Sequence, residues 1–296
     1  MASLKEVKGR IASVNSTRKI TSAMKMVASA KLHKAQAAIE SMLPYERRLH
    51  HILTDFMSNC TEVTSPFIVK REVKKVAVVV FASNTSLCGG FNANVIRHLV
   101  DLLAEYKPLG LENILVFPVG KKVADAVRKL GFRIEGDFQH MADKPSYQEA
   151  ADLAADLMKR FLHGDVDKVE LLYNHFKSTA SQILTRETYL PIDLNNEKKE
   201  EERTIDYILE PSAEELMQEM LPKVLRMKMF TVLLDSNAAE HAARTMAMQI
   251  ATDNANELLQ ELTVMYNKSR QQSITNELLD ICLLYTSDAA DDLIGV

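Results

Sequence analysis

Apolar residues fall along this chain in three regimes. Leu4, Val7, Ile11 and Val14 alternate at spacings of three and four, the signature of a coiled-coil seam. The stripe continues less regularly through Ile20, Met24, Val27, Ala35, Ile39, Met42, Leu49 and Leu53, which predicts one long helix over residues 3–57. Ser3 followed by Glu6 makes a capping box at its start. Pro44 predicts a kink or a local unwinding rather than a boundary.

The middle of the chain changes period. VAVVVF (Val76–Phe81) is a short continuous apolar run, as in a strand buried on both faces. A Gly-containing turn and a helix over 95–106 follow. ILVFPVG (114–120) repeats the cycle with a helix over 121–130, and a third helix over 147–162 leads into KVELLYNHF (168–176) and the β-rich SQILTRETYLPI (181–192). Alternating strands and helices predict an α/β layer with a mostly parallel, Rossmann-like sheet. The charged run 197–203 reads as a solvated loop.

From residue 212 the chain returns to helix as far as 281, interrupted early by Pro222, with Leu258, Leu262, Met265, Ile274, Leu278 and Ile281 as its stripe. At 1.5 Å per residue the two terminal helices extend about 80 and about 100 Å. A small central domain cannot wrap either, so they are expected to pack on each other, antiparallel because that domain joins them. The predicted fold is α/β plus a long coiled coil. It divides into an N-terminal helix (1–58), a central α/β domain (72–210), a C-terminal helix (212–281) and a tail (282–296).

Composition sharpens this picture. The chain has no Trp and 14 Met, a helix-favouring balance. Its net charge of −4 argues against a dedicated nucleic-acid binder. Cys60, Cys88 and Cys282 are odd in number and form no CxxC pair, so neither a disulfide framework nor a zinc site is expected, and a reducing compartment is. The N-terminus reads as neither a signal peptide nor an import leader, and no apolar run is long enough to span a bilayer. The eight histidines show no metal-ligand spacing. SLCGGFNAN after a strand invites a phosphate-binding reading, but neither GxGxxG nor GxxxxGK[ST] is present. A tight packing turn is the better reading, and Gly120-Lys121-Lys122 is read as a strand end.

Four segments carry a family resemblance: IASVNSTRKITSAMKMVASAKLHKAQ (11–36), SLCGGFN (86–92), YNHFKSTASQ (173–182) and ARTMAMQIATDNANELLQELTVMYNKSRQQSITNELLDI (243–281). In this order they resemble the gamma subunits of bacterial F-type ATP synthases over almost the whole chain. Two places depart from the family: Asn84-Thr85-Ser86 stands where many members have Asp-Arg-Gly, and CLLYTSDAADDLIGV from Cys282 matches no member. The tail reads as adapter-derived sequence on a truncated gene and is expected to be irregular.

The resemblance implies a rotor without an active site, cofactor or metal. Its partners would be the alpha/beta hexamer, the epsilon subunit and the membrane c-subunit ring, and it would sit peripherally on the cytoplasmic side of the bacterial inner membrane. Met24, Arg244, Arg270, Gln271, Thr275 and Glu277 correspond to coupling residues, although Met24 alone would read as an ordinary helix-face methionine and Arg270 and Glu277 as a solvated face. Tyr207 and Glu210 in DYILEP correspond to contacts of the rotor foot. The first helix is strongly basic, with Lys5, Lys8, Arg10, Arg18, Lys19, Lys25, Lys31 and Lys34 against Glu6 and Glu40. In the family this face, here Lys19, Lys25 and Lys31, meets an acidic loop of the beta subunits, a contact suited to long-range attraction. Ala28, Ala30, Ala35, Ala37 and Ala38 suit close helix approach, with polar residues expected outside. Two alternatives predict differently: a nucleotide-dependent α/β enzyme with coiled-coil arms, which binds nucleotide saturably, and a basic-helix adaptor, which binds anionic lipid or DNA.

Overall fold

The computed structural model describes residues 3–59, 65–192 and 213–291. At its centre lies β1 (Val76–Phe81), buried at every position. Because strand side chains alternate in direction, β1 feeds two cores. Val76, Val78 and Val80 face α2 (Phe91–Tyr106) and α3 (Lys121–Leu130), while Ala77, Val79 and Phe81 face α5 (Tyr147–His163). Parallel to β1 run β2 (Ile114–Val119) on one side and β4 (Lys168–Phe176) on the other. The sheet is completed by the two-residue β3 (Arg133–Ile134) and the antiparallel edge strand β5 (Gln182–Leu190), in the order β3-β2-β1-β4-β5. A short α4 (Gln139–Asp143) precedes α5. The predicted Rossmann-like layer is therefore present, with β3 and α4 added.

One buried carboxylate fixes the β4–β5 edge. Glu170 accepts hydrogen bonds from Tyr106 Oη (2.8 Å) and Arg186 Nε (2.9 Å) and pairs with Lys168 (2.5 Å). Burial alone would raise its pKa, but the bonds from Arg186, Lys168 and Tyr106 hold it below the ordinary carboxylate range.

The chain ends supply α1 (Leu4–Asn59) and α6 (Ala213–Asp291). Ser3 Oγ accepts the Glu6 amide (3.3 Å), one half of the expected capping box, while the Glu6 carboxylate pairs with Arg10 (3.0 Å). Both helices continue through their prolines, so of the kink or local unwinding expected at Pro44 the unwinding is absent: one lost bond is carried by intact turns on either side. The irregular tail expected from Cys282 is also corrected, since α6 stays helical to Asp291. Residues 282–291 contain neither Gly nor Pro, and extending a helix adds a hydrogen bond with each residue ordered. The loop 197–203 lies outside the described residues.

The chain divides into two compact units, one of residues up to Lys25 with those from Met248, the other of residues 26–247. In the first, the helices are antiparallel: Thr21 Oγ1 meets Thr252 Oγ1 (2.9 Å) and Arg18 reaches Asn256 Oδ1 (3.2 Å). The covered positions on α1 include a three-four series, Leu4, Val7, Ile11, Val14, Arg18, Thr21 and Lys25, flanked by Asn15, Ser22 and Met24. On α6 the matching series is Met248, Thr252, Ala255, Leu259, Leu262, Tyr266, Ser269 and Ser273, with Gln249 and Ala251 also covered. Two expectations change as a result. Ile20 and Val27, read as seam, are 59% exposed, because Arg18, Thr21 and Lys25 hold the seam positions there. In the α6 stripe Leu262 is buried, whereas Leu258, Met265, Ile274, Leu278 and Ile281 are exposed, because burial follows the frame of Ala255 and Leu262, and beyond Ser273 no described residue up to Cys282 is covered.

In the second unit, Leu32 and Ala35 of α1 pack on Ala238 and Ala242 of α6. Ala28 is buried as well, but Ala30 and Ala37 are exposed, a heptad frame away from the contact. The outer helix surface is also less polar than expected, since Met26, Met246 and Ile250 are exposed.

Candidate functional site

In a sheet of this order, chain connections leave β1 in opposite directions, and the crevice at the carboxyl ends of β1 and β4 is where open α/β folds bind ligands. Here α6 lies in it. Asp235 accepts the Phe176 amide (2.8 Å) with one oxygen and pairs with His175 Nδ1 (2.6 Å) through the other, tying α6 to the end of β4. Arg244 donates to the Ser86 carbonyl (2.5 Å) in the turn after β1 and pairs with Glu240 (2.6 Å). Between these contacts the Phe176 side chain packs against two apolar clusters, one including Ala238 and Ala242, the other Cys88, Phe91, Ala239 and Ala243. A void beside it, between Phe81, Val119, Leu233 and Asn237, is about 10 Å³, the lower limit for one water.

The Gly-rich turn is likewise used from within. Asn92 Oδ1 accepts the Ser83 amide (3.1 Å) and Asn92 Nδ2 donates to Ser83 Oγ (2.7 Å). Asn84 Oδ1 takes the Lys121 amide (2.8 Å) and the Ser83 carbonyl takes that of Lys122 (3.2 Å), so the first amides of α3 are satisfied by the fold. Gly120, with φ 113°, lets this loop close against the Ala82 backbone, where a Cβ would collide. Leu87 is held at φ 70° and exposed. In Asn84-Thr85-Ser86, the stretch that departs from the family pattern, the Asn84 side chain and the Thr85 and Ser86 carbonyls are bonded within the fold, while Thr85 and Ser86 themselves are exposed.

Two buried titratable groups sit beside this crevice. Burial pushes Glu240 above the ordinary carboxylate range, and Asp143 adds to the effect against the opposing charges of Arg244 and Lys31. Burial, reinforced by Lys31 and Arg244, pushes His241 down to about 4, and its Nδ1 has no hydrogen-bond partner among the described residues.

The other expected residues are spread along the two helices. Met24 is half-buried beside the seam and Lys25 is half-buried in it, while Lys19 and Lys31 are exposed. Arg270, Gln271, Thr275 and Glu277 share the exposed last stretch of α6, where Thr275 Oγ1 bonds back to the Gln271 carbonyl (2.9 Å). Tyr207 and Glu210 lie outside the described residues. A separate groove of about 420 Å³ near α5 contains none of them; its carboxylates have partners within the chain, Glu149 with His140, Asp152 with Gln148 and Asp156 with Arg160. Among the described residues, no three His, Cys, Asp or Glu side chains converge as metal ligands, and no helix is long and apolar enough to cross a membrane.

The model of one protein family, described as ATP synthase, matches residues 3–283. The ATP synthase gamma chain of Phocaeicola vulgatus is 81% identical over 283 residues, covering 95% of this chain and 98% of that one. The chain belongs to the ATP synthase gamma-chain family. The gamma chain of Bacteroides thetaiotaomicron is 63% identical, at 95% and 98% coverage. Among solved structures, a chain from the Euglena gracilis mitochondrial ATP synthase, OSCP/F1/c-ring, superposes with a TM-score of 0.64 at 20% identity, covering 99% of this chain and 97% of that chain. One from the Tetrahymena thermophila mitochondrial ATP synthase, central stalk/c-ring, gives 0.56 at 22%, covering 78% and 99%. As a member of the gamma-chain family, this chain is a subunit of a membrane-associated ATP synthase. The sequence reading singled out Arg244 but missed Asp235, His175 and Phe176. The sequence signals for them are the segment YNHFKSTASQ, which holds His175 and Phe176, and the polar residue Asp235 that closes the apolar run VLL.

Proposed function

We propose that this gamma-chain family member is the non-catalytic central rotor of a bacterial F-type ATP synthase, on the cytoplasmic side of the inner membrane. The helical arms (1–58 and 212–281) form its shaft, and the α/β domain (72–210) forms the foot that stands with the epsilon subunit on the c-subunit ring, through Tyr207 and Glu210 among others. Proton flow turns the ring and the shaft, and the shaft drives the alpha/beta hexamer through its states. The observation that carries this reading is the last described stretch of α6: from Ile274 to Cys282 every residue is exposed, with Ile274, Leu278 and Ile281 49–58% so. A lone helix that carries an exposed apolar stripe needs a partner to cover it. Arg270, Gln271, Thr275 and Glu277 would supply polar contacts there, with Met24 and Arg244 further along the shaft. Lys19, Lys25 and Lys31 would face an acidic loop of the beta subunits. The enzyme alternative requires the crevice that α6 fills.

Reconstitution with the cognate alpha and beta subunits tests this. Adding the chain should raise ATP hydrolysis well above that of alpha and beta alone, and Arg270→Ala with Glu277→Ala should remove much of the gain. A complex no more active with the chain than without it would overturn the reading.

A further inference from the structure

Resting on that reading, we infer that Asp235 and Arg244 form a two-sided joint that locks α6 to the sheet, so that turning of the α/β domain passes to α6 without slip. The two residues are nine positions apart in one unbroken helix. At 100° per residue they project from roughly opposite sides of α6, about 13 Å apart along its axis. A helix held on one side only can roll on its contact, whereas one held on opposite sides cannot. The two holds go to neighbouring parallel strands, Asp235 to the end of β4 and Arg244 to the turn after β1.

The holds are suited to resisting rotation. On both sides a charged side chain meets a backbone group, the Phe176 amide or the Ser86 carbonyl, and such bonds are short, directional and stronger than neutral ones. Between them α6 presents Ala238, Ala239, Ala242 and Ala243, and small residues bring the helix close to Phe176 without giving it side chains to grip by. A roll of one residue, about 100°, would break both polar holds while exchanging one alanine for another. The apolar contact therefore sets the distance and the polar pair sets the angle. Asp235 acts here as a positioning residue, remote from the nucleotide chemistry.

The test uses the complete complex in proteoliposomes, measuring protons moved per ATP hydrolysed. Asp235→Ala should leave hydrolysis in place and lower that ratio at least about threefold, within the range for residues that carry coupling. Asp235→Asn, which retains an oxygen to accept the Phe176 amide, should restore most of it. Hydrogen exchange at the Phe176 amide should speed up in the Ala variant and much less in the Asn variant. An unchanged ratio in the Ala variant, or an equal loss in both variants, would overturn the joint. If Asp235→Ala does not assemble, His175→Ala removes one partner from an exposed position and should give a smaller loss; no loss would again overturn it. Failure of the rotor reading itself would be visible beforehand, in an unsubstituted chain that does not stimulate hydrolysis.

Discussion

His241 is buried between helices with Lys31 and Arg244 close enough to oppose its protonation and Asp143 favouring it less strongly. An imidazole of this kind stays neutral in the fold, with a pKa of about 4 against the ordinary 6.5. The unfolded chain takes up the proton first as pH falls. The contribution to stability is therefore complete above about pH 6.5 and is lost progressively towards pH 4, amounting to about 3 kcal/mol in full. Replacing His241 with Leu should remove this dependence and also the unpartnered Nδ1. In urea unfolding, the unsubstituted chain should lose about 2 kcal/mol more between pH 7 and pH 5 than His241→Leu does. Equal losses would mean that water reaches the ring.

At the level of elements, the polar stretch of the seam is a specificity device. Thr21 and Thr252 meet hydroxyl to hydroxyl (2.9 Å), one donating across the seam while the other donates back to its own helix, at the Arg18 or the Met248 carbonyl. Only one register brings the two together, as polar groups at core positions of coiled coils do. Thr21→Val and Thr252→Val should each cost about 1 kcal/mol, and the double substitution less than their sum, since removing both hydroxyls leaves neither orphaned; additivity in thermal unfolding would refute the pairing. The same stretch limits what could be read beforehand. Strands β1, β2 and β4 and helix α3 were legible because a continuous apolar run or a Gly–helix–Gly frame marks each. The seam could be followed only while it stayed apolar; at Arg18 the eye moves to Ile20 and Val27, one frame off. Strand β3 and helix α4 are too short to carry a period. Arg270, Gln271, Thr275 and Glu277, the proposed contacts, were singled out by likeness alone, because an exposed polar helix face looks the same whatever touches it.

For the molecule as a whole, the filling of the strand-end crevice by α6 separates architecture from activity. The sheet order is that of nucleotide-binding folds, but the space, the helix-terminal amides and the Gly-rich turn are all used by the chain itself. Equilibrium dialysis of the isolated chain against ADP or ATP should show no saturable binding tighter than about 1 mM; saturable uptake would mean that α6 leaves the crevice. The way α6 covers the sheet also has a consequence during synthesis. Met217, Leu221, Leu225 and Met229 belong to the same core as β1 and α5, yet they are made last, and the seam of α1 waits for a partner from the far end of the chain. At about 5–20 residues per second, roughly 10–40 s pass between completion of the α1 seam and the emergence of α6. For that interval the α1 stripe and the part of the sheet face that α5 leaves uncovered are bare, so the nascent chain should depend on holding chaperones until its last third appears.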